Sequence, residues 1–227
     1  MLKHIFLDLD DTLLDFLAAE RAAISETLIH FGFEPSEATI LRYSEINRLE
    51  WKKLERGEAA REVILTERFK ILFDELGSDT DAKAARTFYE AALAEQAFLI
   101  DGAMELLDAL FGHYRLYIAS NGTAEVARRR ISLAGIEKYF DGIFISSELS
   151  AAKPSVEFFE RCFRKIKNFS RAEAIIVGDS LTSDILGGKN AGILTCLYSK
   201  NGKITGDIIP DYKIKSLGEL PKLLEKL

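Results

Sequence analysis

The sequence predicts an α/β protein, a doubly wound parallel sheet interrupted by an all-helical insertion. Residues 4–9, His4-Ile5-Phe6-Leu7-Asp8-Leu9, read as a short buried strand. Beyond residue 110, Leu116-Tyr117-Ile118-Ala119, Gly142-Ile143-Phe144-Ile145, Ala174-Ile175-Ile176-Val177 and Leu194-Thr195-Cys196-Leu197 repeat that short apolar pattern, with helical stretches between them. Such alternation marks a parallel sheet covered on both faces. Residues 16–99 have another rhythm, dense in Ala, Glu, Arg and Leu and without a strand.

The first strand cannot stand alone, and its natural partners lie beyond residue 110. The economical arrangement is a five-stranded core of residues 1–15 and 100–227, with residues 16–99 inserted after the first strand. Within the insertion, Gly32, Pro35, Gly57 and Gly77 act as punctuation, and Leu28, Phe31, Leu65, Phe69, Leu72, Phe73 and Leu76 recur at helical spacing as its interior. Residues 200–203 read as a mobile surface turn, and residues 210–227 as a closing strand and helix.

Composition narrows the function classes. A chain of 227 residues with 48% hydrophobic residues can bury a sizeable core. A net charge of −6 argues against a nucleic-acid polymer as partner. Arg128-Arg129-Arg130, the one dense basic cluster, reads as a solvated helix face. Cys162 and Cys196 stand far apart and read as buried free thiols in a reducing compartment. With no apolar leader or membrane-spanning run, a cytoplasmic protein is expected. His4, His30 and His113 have no mutual spacing that suggests a metal site or a triad.

The most informative stretch is Asp8-Leu9-Asp10-Asp11-Thr12 at the end of the first strand. Strand alternation puts Asp8 and Asp10 on one side. Crowded carboxylates repel and resist burial, so a hard cation is the expected remedy. Ligands of doubly wound sheets bind beyond the carboxyl ends of the strands, and three more polar clusters fall there. Ser120-Asn121-Gly122 supplies a hydroxyl and backbone N–H groups suited to an anion. Lys153 precedes Pro154, which can open a helix and direct the ammonium at a phosphate. Gly178-Asp179-Ser180 offers another strand-end carboxylate, and Asp184 in the following turn can bend back to it or serve the helix N-terminus.

In order and spacing, these four clusters resemble the four motifs of the haloacid dehalogenase superfamily, over essentially the whole chain. One departure is Asp11, where the common family pattern has glycine. The resemblance implies that Asp8 is the nucleophile, forming an aspartyl-phosphate, and that Asp10 protonates the leaving oxygen and then activates water. It implies Mg²⁺ held by Asp8, the Asp10 carbonyl and Asp179, with Asp184 a further ligand or a support. Thr12, Ser120, Asn121 and Lys153 would hold phosphoryl oxygens. Asp10 favours phosphate-ester hydrolysis, because members specialised for carbon–halogen cleavage generally lack it.

The insertion resembles a helical cap. Leu49-Glu50-Trp51 through Glu55-Arg56-Gly57, Thr66-Glu67-Arg68-Phe69 and Ser183-Asp184-Ile185-Leu186-Gly187-Gly188 are similar to bacterial pyrimidine 5′-nucleotidases. That implies nucleoside monophosphates, pyrimidine or noncanonical, as substrates, with Trp51 able to stack on a base or to pack the cap. A sugar phosphate or phosphoglycolate is the alternative substrate. Receiver-like signalling proteins share a phosphorylated aspartate, Mg²⁺, a hydroxyl and a lysine, but carry no large insertion after the first strand. The expected partner is a small phosphorylated metabolite, with no membrane, and a monomer or small homo-oligomer as the acting form.

Overall fold

The N-terminal apolar run forms β1 (His4–Leu7) in the computed structural model, which describes residues 1–200, 202 and 206–227. Of the surface turn expected at 200–203, Asn201 and Lys203 lie outside the described residues. β1 stops at Leu7, two residues early, because the acidic stretch turns tightly. Asp11 has φ +57° and donates its N–H to the Leu14 carbonyl at 2.7 Å. Aspartate tolerates this left-handed conformation better than most residues, as glycine does without strain.

Four helices follow: α1 (Phe16–His30), α2 (Glu37–Glu55), α3 (Arg61–Glu75) and α4 (Ala82–Ala94). Ser36 and Asp81 cap α2 and α4 by accepting from the first free N–H groups, Thr39 at 3.2 Å and Lys83 at 2.8 Å. Leu28, Leu65, Phe69, Leu72 and Phe73 are buried. Phe31 is only half-buried and Leu76 is exposed, because both lie just past helix ends, where the helical period no longer sets direction. A buried polar chain ties three of these helices together. The Glu20 carboxylate accepts from Ser44 at 2.5 Å and Asn47 at 2.6 Å, and Asn47 accepts from Arg68 at 2.8 Å.

Next come α5 (Ala103–Leu110), β2 (Arg115–Ser120), α6 (Ala124–Leu133), β3 (Gly142–Ile145), a one-turn α7 (Ser146–Leu149) and α8 (Val156–Phe163). β4 (Ala174–Gly178) leads through a wide π-helical turn, Leu181–Ile185, into α9 (Leu186–Ala191). β5 (Leu194–Tyr198), β6 (Tyr212–Ile214) and α10 (Leu220–Leu224) close the chain. The strands are all parallel, in the order β3-β2-β1-β4-β5-β6. Among the described residues the sheet therefore has six strands instead of five. The closing strand, only three residues of mixed polarity, reads too weakly to count as core, yet pairs with β5.

Alternate strand residues serve two cores. Ile5, Leu7, Leu116, Ile118, Ile175 and Val177 pack with residues of α5, α6 and α10. Phe6, Tyr117, Ala119, Ala174 and Ile176 pack with Phe158, Phe159, Cys162 and Phe163 of α8. Each such large side chain contributes ~1.5–3 kcal/mol on full burial, so this double cover holds even a four-residue strand in place. Cys162 and Cys196 are free and buried in the two cores, and burial pushes both thiols up to about 12.

By its internal contacts the chain divides into two compact units, Met1–Asp15 with Phe98–Leu227, and the helical Phe16–Ala97. Among the described residues, no helix is long and apolar enough to cross a membrane.

Candidate active site

The strand order reverses at β1, which lies between β2 and β4, so the carboxyl ends of these three strands share one crevice. Asp8 follows β1 directly and keeps its register by donating its N–H to the Val177 carbonyl at 2.9 Å. Its side chain meets Lys153, 145 residues away in sequence. The Lys153 ammonium donates to Asp8 Oδ1, Asp184 Oδ1 and the Ala119 carbonyl, each at 2.6 Å. That uses all three of its protons on the two buried carboxylates and the end of β2.

Local structure explains how Lys153 reaches this point. Pro154 does not open a helix; it lies in the preceding turn, and Ser155 caps α8 by accepting from Glu157 N–H at 3.2 Å. The loop is instead held by Asn121, whose carbonyl accepts the Lys153 N–H at 2.8 Å while its amide donates to the Lys153 carbonyl at 2.9 Å. The Asn121 side chain therefore anchors the lysine loop. Beside it, Ser120 is buried at the end of β2, where its Oγ accepts the Gly122 N–H at 3.0 Å.

Asp184 bends back from the π-helical turn. Its Oδ2 accepts the Ser180 N–H at 3.1 Å, while its Oδ1 faces Lys153. Gly178 makes room for it: a Cβ at that position would meet Asp184 Oδ2 at 2.2 Å. Thr12, fully buried, donates from Oγ1 to Asp8 Oδ2 at 3.4 Å. One carboxylate oxygen each from Asp8, Asp179 and Asp184 lies within 4.8 Å of the others.

The electrostatics follow from this crowding. Burial, then the charge of Asp184, push the Asp8 carboxyl up to about 8 against the pull of Lys153. Close packing around Asp179, followed by Asp8, Asp184 and Asp11, drives its carboxyl well above the usual range, although the side chain remains open to solvent. Burial opposes the Lys153 charge, but Asp184 and Asp8 outweigh it and hold the ammonium above the ordinary lysine range. One ammonium balances only one of three carboxylates. Hard oxygen donors with unbalanced negative charge suit a divalent cation.

Asp10 occupies the turn after β1, where it pairs with an arginine outside the expected set. Arg130 Nη1 of α6 donates to Asp10 Oδ1. The solvated face expected for the arginine cluster is thus broken: Arg128 and Arg129 are exposed, but Arg130 is only 1% exposed. The signal was present in the helical period, because Val126, Ala127, Arg130 and Ile131 form the buried stripe of α6. Trp51 belongs to the helical unit, on α2, half-buried with the Arg61 guanidinium 5.4 Å above its ring.

A family model for haloacid dehalogenase-like hydrolases matches residues 2–192. The chain belongs to the haloacid dehalogenase-like hydrolases. This hydrolase is 35% identical to pyrimidine 5′-nucleotidase PynA of Streptococcus pneumoniae over 226 residues, covering 99% of this chain and 95% of that protein. It is 30% identical to pyrimidine 5′-nucleotidase YjjG of Escherichia coli, over 98% of this chain and 97% of that protein. Among solved structures, the magnesium-bound HAD-hydrolase YfnB of Bacillus subtilis superimposes with a TM-score of 0.94 at 34% identity, covering 98% of each chain.

Proposed function

We propose that this hydrolase cleaves phosphomonoesters through an aspartyl-phosphate on Asp8, with Mg²⁺, and that its substrates are pyrimidine or noncanonical nucleoside 5′-monophosphates. The observation carrying the reaction is the Asp8–Lys153–Asp184 arrangement, with Asp179 and Asp10 at the same strand ends. Nucleotide substrates are supported by full-length similarity to two pyrimidine 5′-nucleotidases.

In this reading the Asp8 carboxylate attacks phosphorus while the ester oxygen leaves with a proton from Asp10. Water then attacks the aspartyl-phosphate as Asp10 takes the proton back, releasing phosphate and restoring Asp8. A carboxylate approaching a phosphate dianion meets repulsion of several kcal/mol at ~4 Å, even at an effective dielectric near 20. Lys153 supplies one fixed positive charge against it. Asp8, Asp179 and the Asp10 main-chain carbonyl would hold Mg²⁺, with Asp184 as ligand or support, and the ion would supply the remaining charge. Thr12, Ser120 and the backbone N–H groups at Asn121 are the donors for phosphoryl oxygens.

The helical unit is the cap in this reading and selects the substrate. A phosphate-release assay over nucleoside monophosphates, sugar phosphates and phosphoglycolate, with Mg²⁺ present or chelated, tests it. Turnover is expected on nucleoside 5′-monophosphates and lost on chelation. Strong turnover of a sugar phosphate with no nucleotide activity rejects the substrate, and persistent phosphorylation without phosphate release rejects hydrolysis in favour of signalling.

A further inference from the structure

Arg130 is the most buried arginine of the α6 cluster and sits on an otherwise apolar stripe, between Ala127 and Ile131. A leucine or methionine would complete that stripe without desolvating a guanidinium, and buried ion pairs are poor sources of net stability. Stability alone therefore gives no reason for the arginine. Its Nη1 donates to Oδ1 of Asp10, which stands in the tight turn after β1, two residues from Asp8. The Arg130 side chain is 2% exposed and that of Asp10 30%, so a rigid buried donor meets a carboxylate with access to solvent. A guanidinium held from behind by the core limits the rotamers open to such a carboxylate.

We propose that Arg130 is a positioning residue that aims the Asp10 carboxyl at the leaving-group oxygen. The inference rests on Asp10 being the proton donor of the proposed reaction. In the step concerned, an Asp8 oxygen bonds to phosphorus, the phosphorus–ester oxygen bond breaks, and the Asp10 proton passes to the departing oxygen. Arg130 touches neither substrate nor phosphorus in this scheme. It acts through Asp10.

The leaving group separates this role from a structural one. p-Nitrophenolate departs without a proton, whereas an alkoxide needs one. For the intact enzyme with Mg²⁺, kcat/KM reports steps up to leaving-group departure and is compared for p-nitrophenyl phosphate and a nucleoside 5′-monophosphate or other alkyl phosphate. Arg130→Met and Arg130→Gln are expected to lower kcat/KM for the alkyl ester roughly 10- to 100-fold more than for the aryl ester, with the larger part of the loss in kcat. Arg130→Lys is expected to recover most of this difference. Asp10→Asn serves as reference and should show the same leaving-group bias, at least as strongly. Equal losses on both esters in the Arg130 variants, with the bias present in Asp10→Asn, overturn the positioning role. Absence of the bias in Asp10→Asn overturns the proton-donor assignment itself. Should Arg130→Met fail to fold, Arg130→Gln and Arg130→Lys carry the same comparison.

Discussion

The Cβ that Gly178 lacks would stand 2.2 Å from Oδ2 and 2.7 Å from Cβ of Asp184. The last residue of β4 and a side chain six positions later therefore occupy one space, and glycine alone at 178 lets Asp184 fold back onto Lys153. Gly178→Ala is expected to displace Asp184 from both Ser180 N–H and Lys153, lowering stability by ~1–3 kcal/mol. Urea unfolding checks the stability, and Mg²⁺ titration of the variant should show weaker binding.

Asp8 and Lys153 should respond in opposite ways to neutralisation. Asp8→Asn removes one of several crowded carboxylates, so turnover should vanish while thermal stability without metal is kept or raised. Lys153→Met instead leaves two buried carboxylates without their cation and should cost ~3–5 kcal/mol as well as activity. Phosphate release and urea unfolding of the two variants together decide this. An Asp8→Asn enzyme with more than trace turnover would exclude Asp8 as nucleophile.

Magnesium should stabilise the protein itself. The Asp8, Asp179 and Asp184 carboxylates are undercompensated by Lys153, so Mg²⁺ at ~100 times its dissociation constant should add ~2.7 kcal/mol by mass action. Thermal unfolding with Mg²⁺ or a chelator measures this, and Asp179→Asn should shrink the shift.

His4 provides a pH dependence distant from the metal question. It is buried between Tyr117 and Phe169, and burial holds its imidazole below the usual histidine range. Below ~6.5 the unfolded chain binds a proton there that the folded protein resists, so stability falls as the solution is acidified. His4→Phe keeps the ring stacking and removes the titration. Unfolding free energies at pH 7 and pH 5 should therefore differ less in the variant than in the parent protein.

Much of this molecule was legible in one dimension. The α/β class follows from short apolar runs alternating with helical stretches, because strand and helix periods are local properties. Strand-end location marked Asp8, Asp179 and Lys153 as neighbours in a crevice, since parallel sheets bring their carboxyl ends together. Less legible were the early end of β1, set by the tight turn that holds Asp11 at positive φ and bonds it to Leu14, and the sixth strand, which depends on its pairing with β5.

The sequence by itself determined which chemical groups are present and at which end of the sheet they gather. Only the tertiary structure decided who pairs with whom. Lys153 bridges Asp8 and Asp184, Asn121 ties down the lysine loop, and Arg130 reaches Asp10 across 120 residues. Periodicity assigns a side chain to a face of its own element. A charge buried on that face takes its partner from whichever element packs against it, and that is fixed only when the core closes.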